Sequence, residues 1–393
     1  MTGERLMTRN FVLATLAGLF LTMVFFVYFT GMSLYIIDGL GESTTTAGIL
    51  TGIFVVGDII SRLACAPRIQ QWGLRRSAVI FIAAGTAVSL LYFLTSSIPA
   101  LAALMLVHGF TYGVAETAIY TMVISEIPEG RRGEGIGYFT LSNTFASIIG
   151  PFISITLQNS GMYDAMFAFG TLSSATALVL MLFSRELPLV PAPENGFRLS
   201  DHVERSALKV SFVMFLFFFT YSGVLAFVAP YSDEIGIGWY GSVFFIAVSV
   251  ATLICRLFLG KVYDRHGENA ALLPPLIMFT VGMFMVATVV NGPELLLAGF
   301  MMGMMVAMLN TVSQALVVRD VDRSRYGVAI STLSIFWDMS YAVGPMVHGA
   351  LVAAYGYSSD YMIMGFVAAA GLVIYAVLVG IPGRRYRQQA GKG

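Results

Sequence analysis

The residues from Arg256 to Gly267 read Arg-Leu-Phe-Leu-Gly-Lys-Val-Tyr-Asp-Arg-His-Gly and lie between two long apolar segments. A short turn between two helices needs backbone freedom, which Gly267 supplies, and Gly260 permits close contact between helices. Asp264 can face the positive N-terminal end of a neighbouring helix, or pair with an arginine, and so hold helices together in one state. This stretch therefore predicts an inner loop between two membrane helices.

An altered copy of the same stretch lies 194 residues earlier. Its ends are kept, because Arg62 corresponds to Arg256 and Gly73 to Gly267. Three positions inside it differ from the later glycine, aspartate and arginine: Ala66, Gln70 and Gln71. A charged loop that only satisfied membrane topology would need neither the fixed spacing nor the repeat. The two copies indicate that the chain contains an internal repeat, with two halves of the same organisation.

The composition identifies an integral membrane protein. Of the 393 residues, 57% are hydrophobic and 11% are charged, whereas roughly 25% are charged in a soluble domain. The first apolar segment, residues 11–37, is longer than the core of a secretory signal and is followed by further spans, so we expect no signal peptide. The net charge of zero argues against a nucleic-acid partner. Cys65 and Cys255 lie near matching helix ends, and we expect packing roles rather than a disulfide.

Twelve apolar segments are long enough to span a bilayer, which takes about 20 residues. They cover residues 11–37, 46–66, 77–96, 100–126, 135–158, 163–183, 209–230, 239–260, 270–290, 294–318, 326–354 and 361–381. All 22 lysines and arginines then fall on one side of the membrane. Because positive charge concentrates on the cytoplasmic side, we predict a cell-membrane protein with both termini in the cytoplasm.

One long polar segment with three prolines follows the sixth span and has the composition of a linker. It predicts four parts: an N-terminal six-helix bundle at residues 1–183, a cytoplasmic linker at 184–208, a C-terminal six-helix bundle at 209–383 and a cytoplasmic tail at 384–393. A second repeat supports the division into halves. Gly150-Pro151 recurs 194 residues later as Gly344-Pro345.

The pattern R-x-x-x-G-x-x-x-D-R-x-G resembles the inner-loop signature of major facilitator superfamily transporters; its members here are Arg256, Gly260, Asp264, Arg265 and Gly267. Gly150-Pro151 similarly resembles part of a motif of the 12-span drug:proton antiporter (multidrug efflux-like) branch, although Ala146 and Ser154 replace flanking glycines.

This resemblance implies an all-α integral membrane fold with 12 transmembrane helices in two pseudo-symmetric six-helix bundles. It also implies a substrate site between the bundles near the middle of the membrane. Residues of the signature loops and of the Gly-Pro pairs would act in gating and conformational change; besides the five signature residues of the second half, these are Arg62, Gly73, Gly150, Pro151, Gly344 and Pro345.

Three carboxylates lie inside predicted spans, where charge is costly and usually functional. At about 1.5 Å per residue, Asp58, Glu116 and Asp338 all fall near the middle of the membrane. Burial in an apolar medium disfavours the charged form of a carboxyl group, so we expect all three to be proton-coupling residues. Each has a structural alternative: Glu116 and Asp338 could serve packing alone, and Asp58 is four residues from Arg62, the spacing of a helical ion pair.

Glu116 is predicted to be the main proton site because it belongs to a polar helix face that repeats every four residues. In this superfamily, spans 1, 4, 7 and 10 line the central cavity. The substrate-binding residues that the resemblance and this face predict are Tyr28, His108, Tyr112, Glu116, Tyr120, Tyr221, Asn310 and Gln314. A lone buried histidine is more often a packing residue, which is the alternative for His108 and for His348. Neither has a companion at metal-ligand spacing, so we expect no metal site.

We predict a proton-coupled secondary transporter that works by alternating access and exports small amphipathic organic molecules. No lysine or arginine lies near the predicted mid-depth, which favours neutral or cationic compounds. The sequence contains no H-E-x-x-H, G-x-S-x-G or P-loop motif, so we expect neither an enzyme nor a cofactor. The expected partners are the substrate, protons and the lipid bilayer, with the protein acting as a monomer. Three alternatives stay open: a proton-coupled uptake symporter, a lipid or metabolite transporter, and a membrane sensor that does not transport.

Overall fold

The computed structural model describes residues 6–128, 131–188, 203–319, 321 and 326–380. Twelve long α-helices make up most of this part of the chain, and no strand occurs in it. They are α1 (Arg9–Leu34), α2 (Thr44–Trp72), α3 (Leu74–Leu91), α4 (Ile98–Glu126), α5 (Arg132–Asn159), α6 (Tyr163–Leu182), α7 (Leu208–Glu234), α8 (Gly238–His266), α9 (Glu268–Ala287), α10 (Gly292–Val318), α11 (Tyr326–Tyr355) and α12 (Tyr357–Tyr375). Short π-helical turns, Tyr35–Gly39 and Ala376–Gly380, follow α1 and α12.

The helices confirm the predicted all-α fold with twelve membrane-spanning helices. In the described residues, eleven of them meet both the length and the hydropathy expected of a membrane span. The other helix, α11, has 30 residues and begins beside residues outside the described part. Most of the predicted linker, residues 189–202, and the predicted tail also lie outside it.

Contacts divide the chain into two compact units, Met1–Glu194 and Asn195–Gly393. We call them the N-terminal unit and the C-terminal unit. In the N-terminal unit, α1 packs on α5 and α6, α2 packs on α4, and α3 packs on α4 and α6. In the C-terminal unit, α7 packs on α11 and α12, α8 packs on α10, and α9 packs on α10 and α12. Each pairing recurs six helices later, so the sequence repeat is a structural repeat.

Single glycines separate consecutive helices at matched places in the two units. Gly73 lies between α2 and α3 with a φ of 92°, and Gly267 lies between α8 and α9 with a φ of 85°. A positive φ is strained for residues that carry a Cβ atom. The prediction that a glycine turns the chain at the end of the signature loop therefore matches the backbone at both copies.

The Gly-Pro pairs also occupy matched places, where they bring helices together. A Cβ atom at Gly150 on α5 would lie 2.9 Å from Cβ of Phe26 on α1, and one at Gly344 on α11 would overlap Oγ of Ser222 on α7. Pro151 and Pro345 lie inside α5 and α11. The pairs thus fit two long helices closely against α1 and α7.

A carboxylate from another part of the N-terminal unit binds the N-terminus of α3. The backbone N–H groups of Arg75 and Arg76 donate to Oε1 and Oε2 of Glu186, each over 2.9 Å. These N–H groups belong to the first turn of α3, which contains no acidic residue of its own. A carboxylate at a helix N-terminus satisfies free N–H groups and complements the helix dipole. Glu186, which follows α6, therefore caps α3.

Replacing Glu186 with glutamine should lower the thermal unfolding temperature of the purified protein. Glutamine keeps one accepting oxygen but loses the charge, and loss of a cap costs about 0.5–2 kcal/mol; we expect the lower half of that range. Glu42→Gln is the matched control, since Glu42 is exposed in the loop before α2 and no side-chain cap depends on it. Equal unfolding temperatures for the two variants would remove the capping role.

Candidate functional site: a charge cluster on α2 and α4

Three glycines let α2 and α4 approach until their backbones touch. A Cβ atom at Gly57 would overlap the carbonyl oxygen of Leu106, and one at Gly109 would overlap that of Phe54. At Gly113, an added Cβ atom would overlap side-chain oxygens of α2. Small residues allow this close packing between membrane helices. The approach brings polar side chains of the two helices within reach of each other.

Asp58 and Arg62 on α2 and Glu116 on α4 form what we call the charge cluster. Nε of Arg62 donates to Oδ1 of Asp58 over 2.9 Å, and Nη2 donates to Oδ2 over 3.3 Å. The same Nη2 donates to Oε2 of Glu116 over 2.5 Å. The fixed fork of a guanidinium suits such a bidentate contact. A single arginine therefore holds two carboxylates from two helices.

The two carboxylates of the cluster differ in exposure and in how tightly they are held. The Asp58 side chain is 4% exposed and accepts two hydrogen bonds from Arg62, which lies one turn away on the same helix. The Glu116 side chain is 32% exposed and accepts one hydrogen bond from Arg62. The cluster carries one more negative than positive charge when all three groups are ionised, and a single proton balances it. Glu116 is the more accessible group for that proton.

Asp58 and Arg62 form the helical ion pair that their four-residue spacing offered as the structural alternative for Asp58. One expectation was wrong. The sequence predicts no lysine or arginine near mid-depth, but the Arg62 side chain extends to Glu116, about 15 Å from the C-terminal end of α4 at 1.5 Å per residue. The long arginine side chain accounts for the difference, because its charge lies well away from its own Cα atom. The argument that a missing counter-charge disfavours anionic substrates is therefore weaker.

The polar face of α4 runs from the interior of the N-terminal unit to its surface. Tyr112, one turn before Glu116, is buried with its ring 5.6 Å from that of Phe54. Tyr120, one turn after it, is 50% exposed, and its ring lies 5.7 Å from that of Phe139. Glu116 thus lies where the face changes from buried to exposed.

Tyr28 and His108 lie in an aromatic cluster inside the N-terminal unit. Nδ1 of His108 lies 3.2 Å from the hydroxyl of Tyr92, and the His108 and Tyr28 ring centroids are 5.0 Å apart. The Tyr28 side chain is fully buried, and its hydroxyl donates to the Phe167 carbonyl oxygen over 3.5 Å. These contacts favour the packing alternative for His108. The roles of Tyr28 and His108 in substrate binding stay predictions.

The corresponding positions of the C-terminal unit hold no second charge cluster. Thr252 and Asn310 stand 194 residues after Asp58 and Glu116, and Arg256 stands 194 after Arg62. The Thr252 hydroxyl donates to the Gly303 carbonyl oxygen over 2.9 Å, so it joins α8 to α10. The side chains of Asn310, Asp264 and Arg265 lie outside the described part of the structure, and so do the surroundings of Gly260. Among the described positions, the cluster is a feature of the N-terminal unit.

The other predicted residues of the C-terminal unit lie on three helices. Tyr221 on α7 is 4% exposed, and Gln314 on α10 is exposed. Asp338 on α11 is partly exposed and follows Trp337, whose ring stacks on Phe218 at 4.7 Å. Their roles in substrate or proton binding stay predictions.

Sequence reasoning missed two buried acids, Glu268 at the start of α9 and Asp360 in α12. The span prediction begins at residue 361 and so leaves Asp360 outside, but α12 begins at Tyr357 and Asp360 is fully buried in its first turn. Asp360 contacts His348 on α11. One signal in the sequence could have placed Asp360 inside the helix. Gly356 stands directly before α12, just as Gly73 and Gly267 stand directly before α3 and α9.

Twelve membrane helices in two units of the same internal packing, with a charge cluster between helices, define a membrane transporter. The chain belongs to the Major Facilitator Superfamily, whose family model matches residues 14–273 and 210–393. It is a multi-pass membrane protein, and its family transports molecules rather than converting them, so it is not an enzyme.

Relatives in sequence include multidrug resistance proteins. The protein MdtG of Enterobacter lignolyticus (strain SCF1) is 24% identical over 277 residues, which cover 67% of this chain and 65% of that relative. The MdtG protein of Citrobacter koseri is 22% identical over 281 residues, 68% of each chain. The chain thus spans about two thirds of these relatives. It resembles the drug:proton antiporter branch of the family.

Solved structures share the fold at low sequence identity. The nucleoside transporter NupG has a TM-score of 0.71 and 13% identity, with 94% of this chain and 99% of that chain covered. A D-xylose-proton symporter has a TM-score of 0.69 and 18% identity, with 93% and 97% covered. Similarity at this level describes the fold alone.

Proposed function

We propose that the protein is a proton-coupled exporter of small amphipathic organic molecules, with Glu116 as its proton-binding residue. The observation that carries this proposal is the single guanidinium of Arg62 shared between Asp58 and Glu116. Such a cluster has one acid in excess, and that acid can take up and release a proton. The multidrug resistance proteins among the relatives support export of organic compounds.

Protonation of Glu116 changes the link between α2 and α4. An uncharged Glu116 loses the ionic part of its contact with Arg62, while Asp58 keeps the guanidinium through two hydrogen bonds. Arg62 therefore never lacks a counter-charge, which lowers the cost of the change inside the membrane. Glu116 in turn alternates between a charged, Arg62-bound form and a neutral form.

The same exchange gives a physical basis for antiport. A cationic group of a substrate competes with a proton for the Glu116 carboxylate, because both neutralise the same charge. Binding of one then requires release of the other, and alternating access between the two units would carry them in opposite directions. We place the protein in the cell membrane as a monomer, with a cytoplasmic linker at residues 184–208 and both termini in the cytoplasm. The one-sided distribution of basic residues supports that orientation.

Replacing Glu116 with glutamine should abolish the dependence of transport on the pH gradient. Glutamine keeps the shape and an accepting oxygen for Arg62 but cannot titrate. The measurement is uptake of a lipophilic cationic dye into proteoliposomes with and without an imposed pH gradient. We expect wild-type flux to rise with the gradient and the variant to show equal flux in both conditions.

Glu134→Gln is the matched control for this experiment. Glu134 also pairs with an arginine, Arg131, but over an exposed contact of 2.7 Å at the start of α5. The control should keep wild-type gradient dependence. Unchanged gradient dependence in Glu116→Gln would remove Glu116 from the coupling role, and loss of all flux in both conditions would assign it a structural one.

The second candidate function is proton-coupled uptake, because a proton site at Glu116 would couple transport to protons in either direction. Expression in cells sensitised to toxic dyes separates the two directions. Export lowers the dye content of the cells and raises resistance, whereas uptake raises the dye content.

A further inference from the structure

A second pair of titratable side chains is fully buried in the C-terminal unit. Nδ1 of His348 on α11 lies 2.7 Å from Oδ2 of Asp360 on α12. Nε2 of the same ring lies 3.2 Å from the carbonyl oxygen of Phe219 on α7. Both side chains have no exposed surface. The imidazole thus joins three helices.

The contacts fix the number of protons on the pair. A carbonyl oxygen only accepts hydrogen bonds, so Nε2 must carry a hydrogen and donate it to Phe219. Nδ1 and Oδ2 can approach to 2.7 Å only when one proton lies between them, carried either by the ring or by the carboxyl group. In both forms the pair has no net charge. Removal of that proton would leave a nitrogen lone pair facing a carboxylate.

Among the described residues, neither His348 nor Asp360 has another ion-pair partner. Oδ1 of Asp360 has no hydrogen-bond partner among the described residues. Tyr361, which follows Asp360 on α12, interacts electrostatically with Asp360, with Tyr357 on α12 and with Tyr231 on α7. The charged side chains on the described parts of α7, α9 and α11 lie far from the pair. On α7 and α11 they are ten or more residues away along the helix: Lys209, Asp233, Glu234 and Asp338. Glu268 on α9 lies at the opposite end of the α9–α12 pair.

The imidazole also fills a notch in α7. A Cβ atom at Gly223 would overlap the His348 ring, so the glycine makes the space that the ring occupies. The Phe219 carbonyl oxygen, which faces Gly223 one turn along α7, accepts the bond from Nε2. The ring therefore contacts the backbone of α7 and depends on Asp360 for its orientation.

We propose that His348 and Asp360 form a proton-binding site whose single shared proton fastens α11 and α12 to α7. Loss of the proton breaks the contact between the two side chains, and the ring loses the partner that holds it against α7. The site is separate from the charge cluster, which lies in the other unit. It needs no substrate and does not depend on the direction of transport.

Asp360→Asn tests the site because an amide N–H can donate to Nδ1 without a titratable proton. The measurement is the thermal unfolding temperature of the detergent-purified protein between about pH 5.5 and pH 9, a range that includes the ordinary pKa of a histidine side chain. The pair contributes stability at low pH that is lost as pH rises, so we expect the wild-type unfolding temperature to fall by about 2–4 °C more than that of the variant. Equal pH slopes for wild type and Asp360→Asn would overturn the proposal.

Two further measurements keep the test independent of side effects. Asp233→Asn, at the exposed end of α7, should retain the wild-type pH slope. If Asp360→Asn does not fold, hydrogen exchange of the wild-type protein decides. We expect the backbone amides of residues 217–225 to exchange faster at high pH, after correction for the intrinsic pH dependence of exchange, than those of residues 50–58 on α2. Equal protection of the two segments at both pH values would contradict the site.

Discussion

Replacing Arg62 with methionine should lower the free energy of unfolding by about 3 kcal/mol, near the lower end of the 3–5 kcal/mol expected when one partner of a buried ion pair is removed. The variant leaves Asp58, which is 3% exposed, and Glu116 without their shared guanidinium. Two carboxylates then lie near each other in an apolar environment. The lower end is expected because the side chains of Arg62 and Glu116 are each 32% exposed, so water offsets part of the cost.

The control for this variant is an arginine in an exposed pair. Arg131 bonds to Glu134 three residues on, with both side chains 43% exposed, and Arg131→Met should change stability by less than about 1 kcal/mol. Adding Asp58→Asn to Arg62→Met should restore part of the loss, because it removes the more deeply buried charge. Thermal unfolding in detergent measures all three. Equal unfolding temperatures for Arg62→Met and Arg131→Met would show that the charge cluster contributes little.

Replacing Gly109 with valine should cost about 3 kcal/mol, the upper end of the usual range for overpacking. Its Cβ atom would overlap the Phe54 carbonyl oxygen, which is part of the α2 backbone and cannot turn away as a side chain could. The helices must therefore separate, and the charge cluster two turns further along α4 separates with them. We expect both the unfolding temperature and gradient-driven flux to fall.

Two glycines provide matched comparisons for Gly109→Val. Gly137 on α5 has nothing within 4 Å of an added Cβ atom, so Gly137→Val should be close to neutral. At Gly303 on α10, an added Cβ atom would overlap the Val248 carbonyl oxygen of α8, which repeats the contact of Gly109. Gly303→Val should therefore cost as much as Gly109→Val. A neutral Gly109→Val would mean that α2 and α4 adjust without loss.

The fold was predictable because membrane spans are read from length and apolarity, and each loop could be checked against the basic residues. The signature loop predicted where two pairs of helices are joined, since its final glycines, Gly73 and Gly267, separate consecutive helices as expected. A helix begins and ends where its local sequence changes, which is a property of neighbouring residues. Such features require no knowledge of how helices pack.

The site was only partly predictable, because it depends on contacts between helices. Spacing placed Asp58 and Arg62 on one face of α2, but only packing through Gly113 brings Glu116 to the same guanidinium. The pair of His348 and Asp360 escaped notice for a different reason. The apolar segment of the sequence starts after Asp360, whereas the helix starts three residues before it.

The backbone contact between α2 and α4 leaves little room for sliding, so we expect these helices to move as a single rigid body. Ile60 on α2 is 45% exposed and Val107 on α4 is 49% exposed, so both can carry spectroscopic labels without disturbing that contact. A label pair there would report one constant distance through the transport cycle. That constant distance would be an internal reference for measuring movements of the other helices.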